Sequence, residues 1–117
     1  MTNNTKVYGM RFGKVWPLLV NKVVRKGRNA SEVYAVAEWL TGYTAEEIDS
    51  MAAGETTYRG FFENAPAMNP ARDLVTGVVC GVRVESVEEP LMREIRRLDK
   101  LIDELARGKA LEKVLRS

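Results

Sequence analysis

The sequence contains no histidine and a single cysteine, Cys80, among its 117 residues. Histidine is the usual general base near neutral pH and the commonest metal ligand in proteins. Its absence excludes Ser-His-Asp and Cys-His catalytic sites and every zinc site that uses histidine. One cysteine cannot form a disulfide within the chain, which is compatible with a reducing compartment.

Long apolar runs are also missing, since the longest ones span a few residues, far fewer than the roughly 20 that cross a bilayer. The opening residues, Met-Thr-Asn-Asn-Thr, lack the apolar segment of a signal peptide. We therefore expect a cytoplasmic protein with no membrane contact. The chain has the length of one domain with a single core, so we assign residues 1–117 to one domain.

Acidic residues are absent from the first thirty positions, which carry seven basic ones. Residues 31–66 show the reverse, with seven acids and one base, although the formal net charge of the whole chain is only +2. Either the two segments neutralise each other in the fold, or a basic face binds an anionic partner. The seven basic residues are Lys6, Arg11, Lys14, Lys22, Arg25, Lys26 and Arg28.

Apolar spacing of three and four residues predicts a mainly α fold, a compact single-domain bundle of about five to six helices. Such spacing runs from Arg11 to Lys26, but Pro17 could instead mark the first turn and leave an extended arm over residues 1–10, or as far as residue 14. Helix-start signals stand at Asn29, Thr44, Asn69 and Glu89, and glycine stops at Gly27, Gly42 and Gly54.

Residues 75–84 are rich in β-branched side chains, which favours a strand, yet Leu74, Val78 and Val82 keep a four-residue step. We favour a helix, and the conformation of residues 75–88 stays open between helix and strand. A helix would align Arg72, Thr76, Cys80 and Arg83 in one stripe.

Two guanidinium groups on that stripe could bind a carboxylate or a phosphate. This predicts a small-molecule or anion pocket; its candidate residues are Asn69, Arg72, Thr76, Cys80 and Arg83. The alternative is a structural ion pair with an internal acid such as Glu85, Glu38 or Glu63.

The last long helix is predicted from residue 90 to residue 116, with a break near Gly108. Its apolar residues repeat at a spacing of 3.5 residues; they are Leu91, Ile95, Leu98, Ile102 and Leu105. This pattern suits the seam of a homodimer or homo-oligomer. The alternative is that the stripe, widened by Met92 and Leu101, packs on its own domain.

The basic N-terminal segment carries the function that we predict, which is a non-enzymatic interaction module. Its candidate residues for an anionic partner, either nucleic acid or an acidic protein surface, are Lys22, Arg25, Lys26 and Arg28. Trp16 and Tyr8 could stack on unpaired bases, unless Trp16 belongs to the core.

Two other functions have weaker support, the recognition of duplex DNA and catalysis by carboxylates. The turn at residues 41–44 has helix-turn-helix spacing, but the helix after it would present Glu46, Glu47 and Asp49 to the phosphates. The acids near residues 85–89 lack an accompanying nucleophile, phosphate loop or metal-ligand pattern. We therefore predict no catalytic residue, no cofactor and no metal site.

Five runs of residues form a distinctive pattern: Lys-Gly-Arg at 26–28, Glu-Trp-Leu-Thr-Gly-Tyr at 38–43, Asn-Ala-Pro-Ala-Met-Asn-Pro at 64–70, Thr-Gly-Val-Val-Cys-Gly-Val-Arg at 76–83, and Glu-Pro-Leu-Met-Arg-Glu-Ile at 89–95. The chain resembles, from about Met10 to Arg116, a bacterial family known as domain of unknown function 2200 (DUF2200). The resemblance implies a compact, mainly helical cytoplasmic protein. It supplies no activity, cofactor or catalytic residue.

Overall fold

The computed structural model describes residues 4–116, and helices make up most of that range. The elements are α1 (Asn4–Tyr8), α2 (Phe12–Val24), α3 (Ala30–Thr41), α4 (Ala45–Ala53), α5 (Tyr58–Glu63), a first 3₁₀ helix (Pro70–Leu74), β1 (Val78–Val79), β2 (Val82–Arg83), a second 3₁₀ helix (Val84–Ser86), α6 (Pro90–Ala106) and α7 (Leu111–Val114). The radius of gyration of 13.2 Å is that of one compact globule of this length. The predicted mainly α fold is confirmed.

The prediction of an extended N-terminal arm is wrong for the part of it that the structure describes, and residues 1–3 lie outside that part. Residues 4–8 form α1, where the buried Tyr8 donates a hydrogen bond of 2.5 Å from its hydroxyl to Glu89 at the start of α6. α2 then begins at Phe12 and continues through Pro17. Pro17 is exposed and lies in the second turn of α2, where it cannot donate the helical hydrogen bond to the carbonyl of residue 13.

Aromatic rings fill the centre of the core, where α2 meets α5. The rings of Phe12 and Phe61 stack with their centroids 4.2 Å apart, and Trp16 stacks on Phe12 at 5.6 Å. Trp16 is only 3% exposed. These three side chains come from positions one helical turn apart on α2 and from the middle of α5, so their burial fixes the two helices against each other.

α2 also packs very closely against α4. A Cβ atom at Gly13 would lie 2.1 Å from the carbonyl oxygen of Ala52, a distance that no real Cβ contact shows. Only glycine therefore fits at this contact of the two backbones.

The helix boundaries at the turn between α3 and α4 follow the sequence signals. Gly42 ends α3 with a positive φ of 82°, which favours glycine. Thr44 and Glu47 form a reciprocal capping box at the start of α4. Asn29 stands at the predicted N-cap of α3, but its side chain makes no capping hydrogen bond.

The helix that we favoured over residues 75–84 is wrong. This segment forms an antiparallel hairpin in which Val78 pairs with Arg83 and Val79 with Val82. Its two-residue turn is Cys80-Gly81, and both residues have positive φ, 51° and 74°. Such a turn requires left-handed backbone and matches the twist of the strands. The β-branched residues therefore decide the conformation, and the four-residue step of the apolar side chains was misleading.

α6 forms one wall of the core with the apolar stripe that we considered as a homodimer seam. Ile95, Leu98, Ile102 and Leu105 are buried in their own domain, and Leu91 is half-buried. The alternative interpretation of this stripe is therefore the one that the structure shows. Because α2 and α3 cover it, the stripe is not available to a second copy of the chain.

Candidate functional site

Arg28 belongs to the predicted anion-binding surface, but the structure uses it inside the fold. Its side chain is 18% exposed and pairs with Glu32 at 2.5 Å. The guanidinium group also donates hydrogen bonds to the carbonyl oxygen of Leu105, at 3.3 Å, and to that of Lys109. These carbonyls lie at the end of α6, so Arg28 holds the C-terminal end of that helix.

Lys22 and Lys26, two further candidates, face Arg107 across a surface hollow at the end of the seam between α2 and α6. We call it the basic hollow; it measures about 530 Å³, and Asp103 and Ala106 complete its lining. The Nζ atom of Lys22 lies 3.3 Å from one oxygen of Asp103, and Nε of Arg107 lies 2.8 Å from the other. Two of the three cations thus share the one carboxylate and Lys26 pairs with no acid among residues 4–116, so the hollow keeps an excess of positive charge.

Asp103 is the electrostatic centre of the basic hollow. Its partial burial acts to raise the pKa, but hydrogen bonds from Arg107 and Lys22 outweigh burial and bring the pKa of Asp103 below its ordinary value. The carboxylate is therefore ionised at neutral pH, and it holds Lys22 and Arg107 at the rim.

Arg25, the fourth candidate, is the exposed C-cap residue of α2 and does not line the hollow. Its guanidinium Nε is 3.4 Å from the carbonyl oxygen of Asn21. Within residues 4–116, neither Arg25 nor Lys26 forms a salt bridge. Both charges are therefore free to meet a partner, in contrast to that of Arg28.

The predicted ligand pocket is dispersed, because the helix on which its shared stripe depended does not form. Arg72 donates through Nε to Glu94 at 2.8 Å and through Nη1 to the carbonyl of Asn69 at 2.9 Å. The oxygen of the Asn69 side chain caps the first 3₁₀ helix. The internal ion pair, the alternative interpretation, is thus what the structure shows for Arg72.

The other three pocket candidates lie on the surface of the hairpin region. Arg83 is 3.6 Å from Glu85, and both side chains are largely exposed. Thr76 and Cys80 are exposed as well, and the structure does not bring them together with Arg72 in a cavity.

The aromatic residues considered for base stacking are not accessible. Trp16 lies in the core and Tyr8 is 5% exposed, with the guanidinium carbon of Arg59 5.0 Å above its ring. In α4, Glu46 and Glu47 are exposed, and Asp49 accepts a hydrogen bond from the hydroxyl of Tyr34. This acidic helix remains unsuited to the major groove of DNA.

The acids near residues 85–89 serve structural contacts. Glu85 accepts a hydrogen bond of 2.9 Å from the backbone N–H of Gly77, and this bond lowers its pKa. Glu89 accepts hydrogen bonds from Tyr8 and Asn4, which lower its pKa in the same direction. A general acid needs a raised pKa, so neither carboxyl group has the character of one.

Arg107 and Asp103 are the site residues that the sequence did not reveal. They form an i,i+4 pair on α6, which sequence reasoning assigns to an ordinary solvated helix face. Lys22 is 81 positions away from Asp103 along the chain, so only the packing of α2 on α6 brings the three together. The one signal of this site in the sequence is that both helices carry basic residues near their C-terminal ends.

The fold and the site define a small helical domain with a basic hollow between two of its helices. Over residues 6–116 the chain matches the model of a family described as uncharacterized protein conserved in bacteria, DUF2200. The chain belongs to this family, as the resemblance in its sequence implied.

A solved structure supports the fold. The chain is similar to the crystal structure of uncharacterized protein SP1917, with a TM-score of 0.91 and 46% sequence identity over 97% of this chain and 93% of that one. No protein with a curated description matches the chain. In residues 4–116, none of the helices combines the length and apolar character that crossing a bilayer requires.

Proposed function

We propose that this protein is a non-enzymatic interaction module that binds an acidic segment of another protein at the basic hollow. The observation that carries the proposal is the convergence of Lys22, Lys26 and Arg107 on a concave surface with Asp103 as its one carboxylate. Carboxylates of a partner would enter this hollow and pair with the excess cations, and the exposed Arg25, which precedes Lys26 in the chain, would supply a further contact.

The shape of the site supports preorganised binding. Lys22 and Arg107 are held by Asp103, and Arg28 ties the end of α6 to the start of α3. Lys22 and Arg107 therefore lose less conformational freedom on binding than unpaired surface side chains would. In this account Lys22, Arg25 and Lys26 contact the partner, and Arg28 is a positioning residue.

An acidic protein segment is favoured over nucleic acid for two reasons. Single-stranded nucleic acid is bound largely by stacking on exposed aromatic rings, and Trp16 and Tyr8 are buried. Duplex binding relies on many phosphate contacts, whereas this site offers a small group of cations in a hollow.

A cytoplasmic location is part of the proposal. It is supported by the single cysteine, whose thiol is exposed on the hairpin turn, because free exposed thiols are typical of reducing compartments.

Binding to synthetic probes tests the proposal. A glutamate-rich peptide, a single-stranded oligonucleotide and a short DNA duplex would each be titrated into the protein at low and high salt. We expect the peptide to bind, with an affinity that falls as salt is added. The double variant Lys26→Glu with Arg107→Glu is expected to weaken peptide binding by about tenfold or more.

The matched control is Lys6→Glu with Lys113→Glu, which reverses two exposed charges outside the hollow. This control should keep peptide binding within about twofold of the parent. Equal loss in both double variants would indicate an effect of net charge alone and contradict the site. Preferential binding of either oligonucleotide would replace the protein partner with a nucleic acid.

A further inference from the structure

A second hollow lies on the same seam between α2 and α6, nearer the start of both helices. We call it the apolar groove; it measures about 230 Å³. Leu18 and Met10 stand at its rim, and Met92 and Ile95 form part of its α6 wall. Pockets for whole small molecules usually measure about 300–1,000 Å³. The groove therefore has room for one large side chain rather than for a drug-sized ligand.

The rim of the apolar groove exposes more apolar surface than its surroundings require. Leu18 is 65% exposed and Met10 is 38% exposed, and both are among the few large apolar residues in residues 4–116 that reach solvent to this extent. Two such residues bordering one groove form a contiguous apolar patch, and such patches mark interaction sites.

The floor of the groove contains polar groups whose hydrogen-bonding capacity is not used within the fold. Tyr58 is 3% exposed, and its hydroxyl has no hydrogen-bond partner among the described residues. The Nε atom of Arg96 is likewise buried without a partner, although Nη1 of the same residue pairs with Asp99 at 3.2 Å. Buried unpaired donors are rare in native proteins and each is costly.

The environment of these groups is water-poor. Burial, and after it the charge of Asp99, raises the pKa of Tyr58 well above its ordinary value, so the hydroxyl keeps its proton at neutral pH. Burial also raises the pKa of Asp99, although Arg96 acts against it. The floor thus offers one N–H donor and one O–H donor beside a carboxylate, in surroundings that strengthen hydrogen bonds.

The apolar groove and the basic hollow are parts of one continuous track. On α6, Arg96, Asp99, Asp103 and Arg107 follow one another at three- and four-residue steps along one face. On α2, Leu18 lies four residues before Lys22, and Lys26 follows four residues later, just past the end of the helix. From Asp99 to Arg107 the track covers eight residues of helix, about 12 Å.

We infer that the apolar groove receives a tyrosine side chain from the same acidic partner segment, two helical turns away from the acids that enter the basic hollow. This inference rests on the proposed function. The aromatic ring would fill the apolar part of the groove between Leu18, Met92 and Ile95. Its hydroxyl would accept a hydrogen bond from Tyr58, beside Arg96, and donate one to Asp99.

The choice of tyrosine follows from the groups at the floor. Two unpaired donors need an acceptor, which phenylalanine and leucine lack and the indole of tryptophan does not provide. A seam between two helices running side by side is a site for a third helix, which is why the partner segment is expected to be helical. Its acids would repeat on the same face as the tyrosine, at i+7 or i+8.

Three synthetic helical peptides of equal charge test this inference. They carry tyrosine, phenylalanine or alanine at the anchor position and glutamates two helical turns away. Each is made in two versions, with the glutamates either before or after the anchor residue in the sequence. Affinities would be measured by titration calorimetry with the full chain. We expect the tyrosine peptide to bind about tenfold more tightly than the alanine peptide, with phenylalanine between them.

Two variants locate the effect. Tyr58→Phe removes an unpaired buried hydroxyl, so the protein should stay folded with an equal or higher Tm, yet lose the preference for tyrosine over phenylalanine. Leu18→Ser changes an exposed side chain and should weaken both aromatic peptides while leaving the alanine peptide unaffected.

The outcomes separate the two proposals. If all three peptides bind equally well and all lose affinity in the variant Lys26→Glu with Arg107→Glu, the basic hollow stands and the tyrosine inference is overturned. If a tyrosine preference survives unchanged in Tyr58→Phe and Leu18→Ser, the groove is the wrong location. If none of the peptides binds, the proposed function fails and the inference with it.

Discussion

The two sides of α2 have opposite characters. Towards α4, the backbone at Gly13 approaches Ala52 so closely that no side chain fits between them. Towards α6, the same helix leaves two hollows, and Leu18 and Lys26 reach solvent. One helix thus combines a contact that fixes the fold with a seam that remains open. Because the contact with α4 fixes the helix in place, its other side can remain open and carry the binding surface that we propose.

The largest expected effect comes from adding a side chain on the face of α2 that packs against α4. Gly13→Ala places a methyl group against the Ala52 carbonyl, so α2 and α4 must separate, and we expect a loss of at least about 3 kcal/mol in the free energy of unfolding. Gly54→Ala is the control, since a Cβ there would meet nothing closer than 3.4 Å. Urea denaturation measures both. Equal stability of the two variants would show that the close approach does not fix the fold.

A smaller effect separates two arginines of the basic segment. Arg28→Ala removes hydrogen bonds to two carbonyls and to Glu32, and we expect it to cost about 1–2 kcal/mol of stability. Arg25→Ala changes an exposed side chain without an ion pair and should stay within about 0.5 kcal/mol of the parent. Thermal unfolding in the same buffer compares them. A larger loss for Arg25→Ala would reverse the assignment of structural and binding roles.

The pH dependence of stability distinguishes two acids along the open seam. The lowered pKa of Asp103 means that its ionised form stabilises the protein above the unfolded pKa of about 3.9, and this stabilisation is lost as the pH falls through the folded pKa. The raised pKa of Asp99 has the opposite sign, so stability falls as the pH rises from about 3.9 to the folded pKa.

Unfolding free energies measured between about pH 3 and pH 7 test this contrast. The stability advantage of the parent over Asp103→Asn should grow with pH. Its advantage over Asp99→Asn should shrink or reverse over the same interval. Two variants with pH profiles parallel to that of the parent would contradict the opposite shifts.

The smallest expected effect concerns the rim of the open side. Leu18→Ser should change the free energy of unfolding by less than about 0.5 kcal/mol, because the side chain contributes little to the core. Denaturation curves of the two proteins should therefore superimpose. A clear destabilisation would place Leu18 in the packing of the domain and remove it from the apolar groove.

The helices could be predicted because local signals and apolar spacing agree. Thr44 with Glu47, Gly42 and the stripe of α6 each specify a boundary or a buried face without reference to distant parts of the chain. The hairpin was missed because Val78 and Val82 satisfy a helical step by coincidence. Its turn, Cys80-Gly81, places a non-glycine residue at positive φ, which sequence reasoning does not anticipate.

The candidate site could be predicted only in part. The basic residues of α2 were recognisable from charge alone, but their pairing with Asp103 and Arg107 depends on packing between helices at opposite ends of the chain. The burial of Trp16 and Tyr8 and the internal role of Arg28 depend on the same long-range contacts. Sequence therefore identified the charges, and packing decided which of them remain free.

Amide chemical-shift mapping is the most direct test of the claim that the α2–α6 seam is the binding surface. The isotope-labelled protein would be titrated with the glutamate-rich tyrosine peptide and followed residue by residue. The account predicts that the largest shifts fall within residues 14–26 and 92–107. Shifts concentrated in residues 69–83, or an unchanged spectrum at saturating peptide, would contradict it.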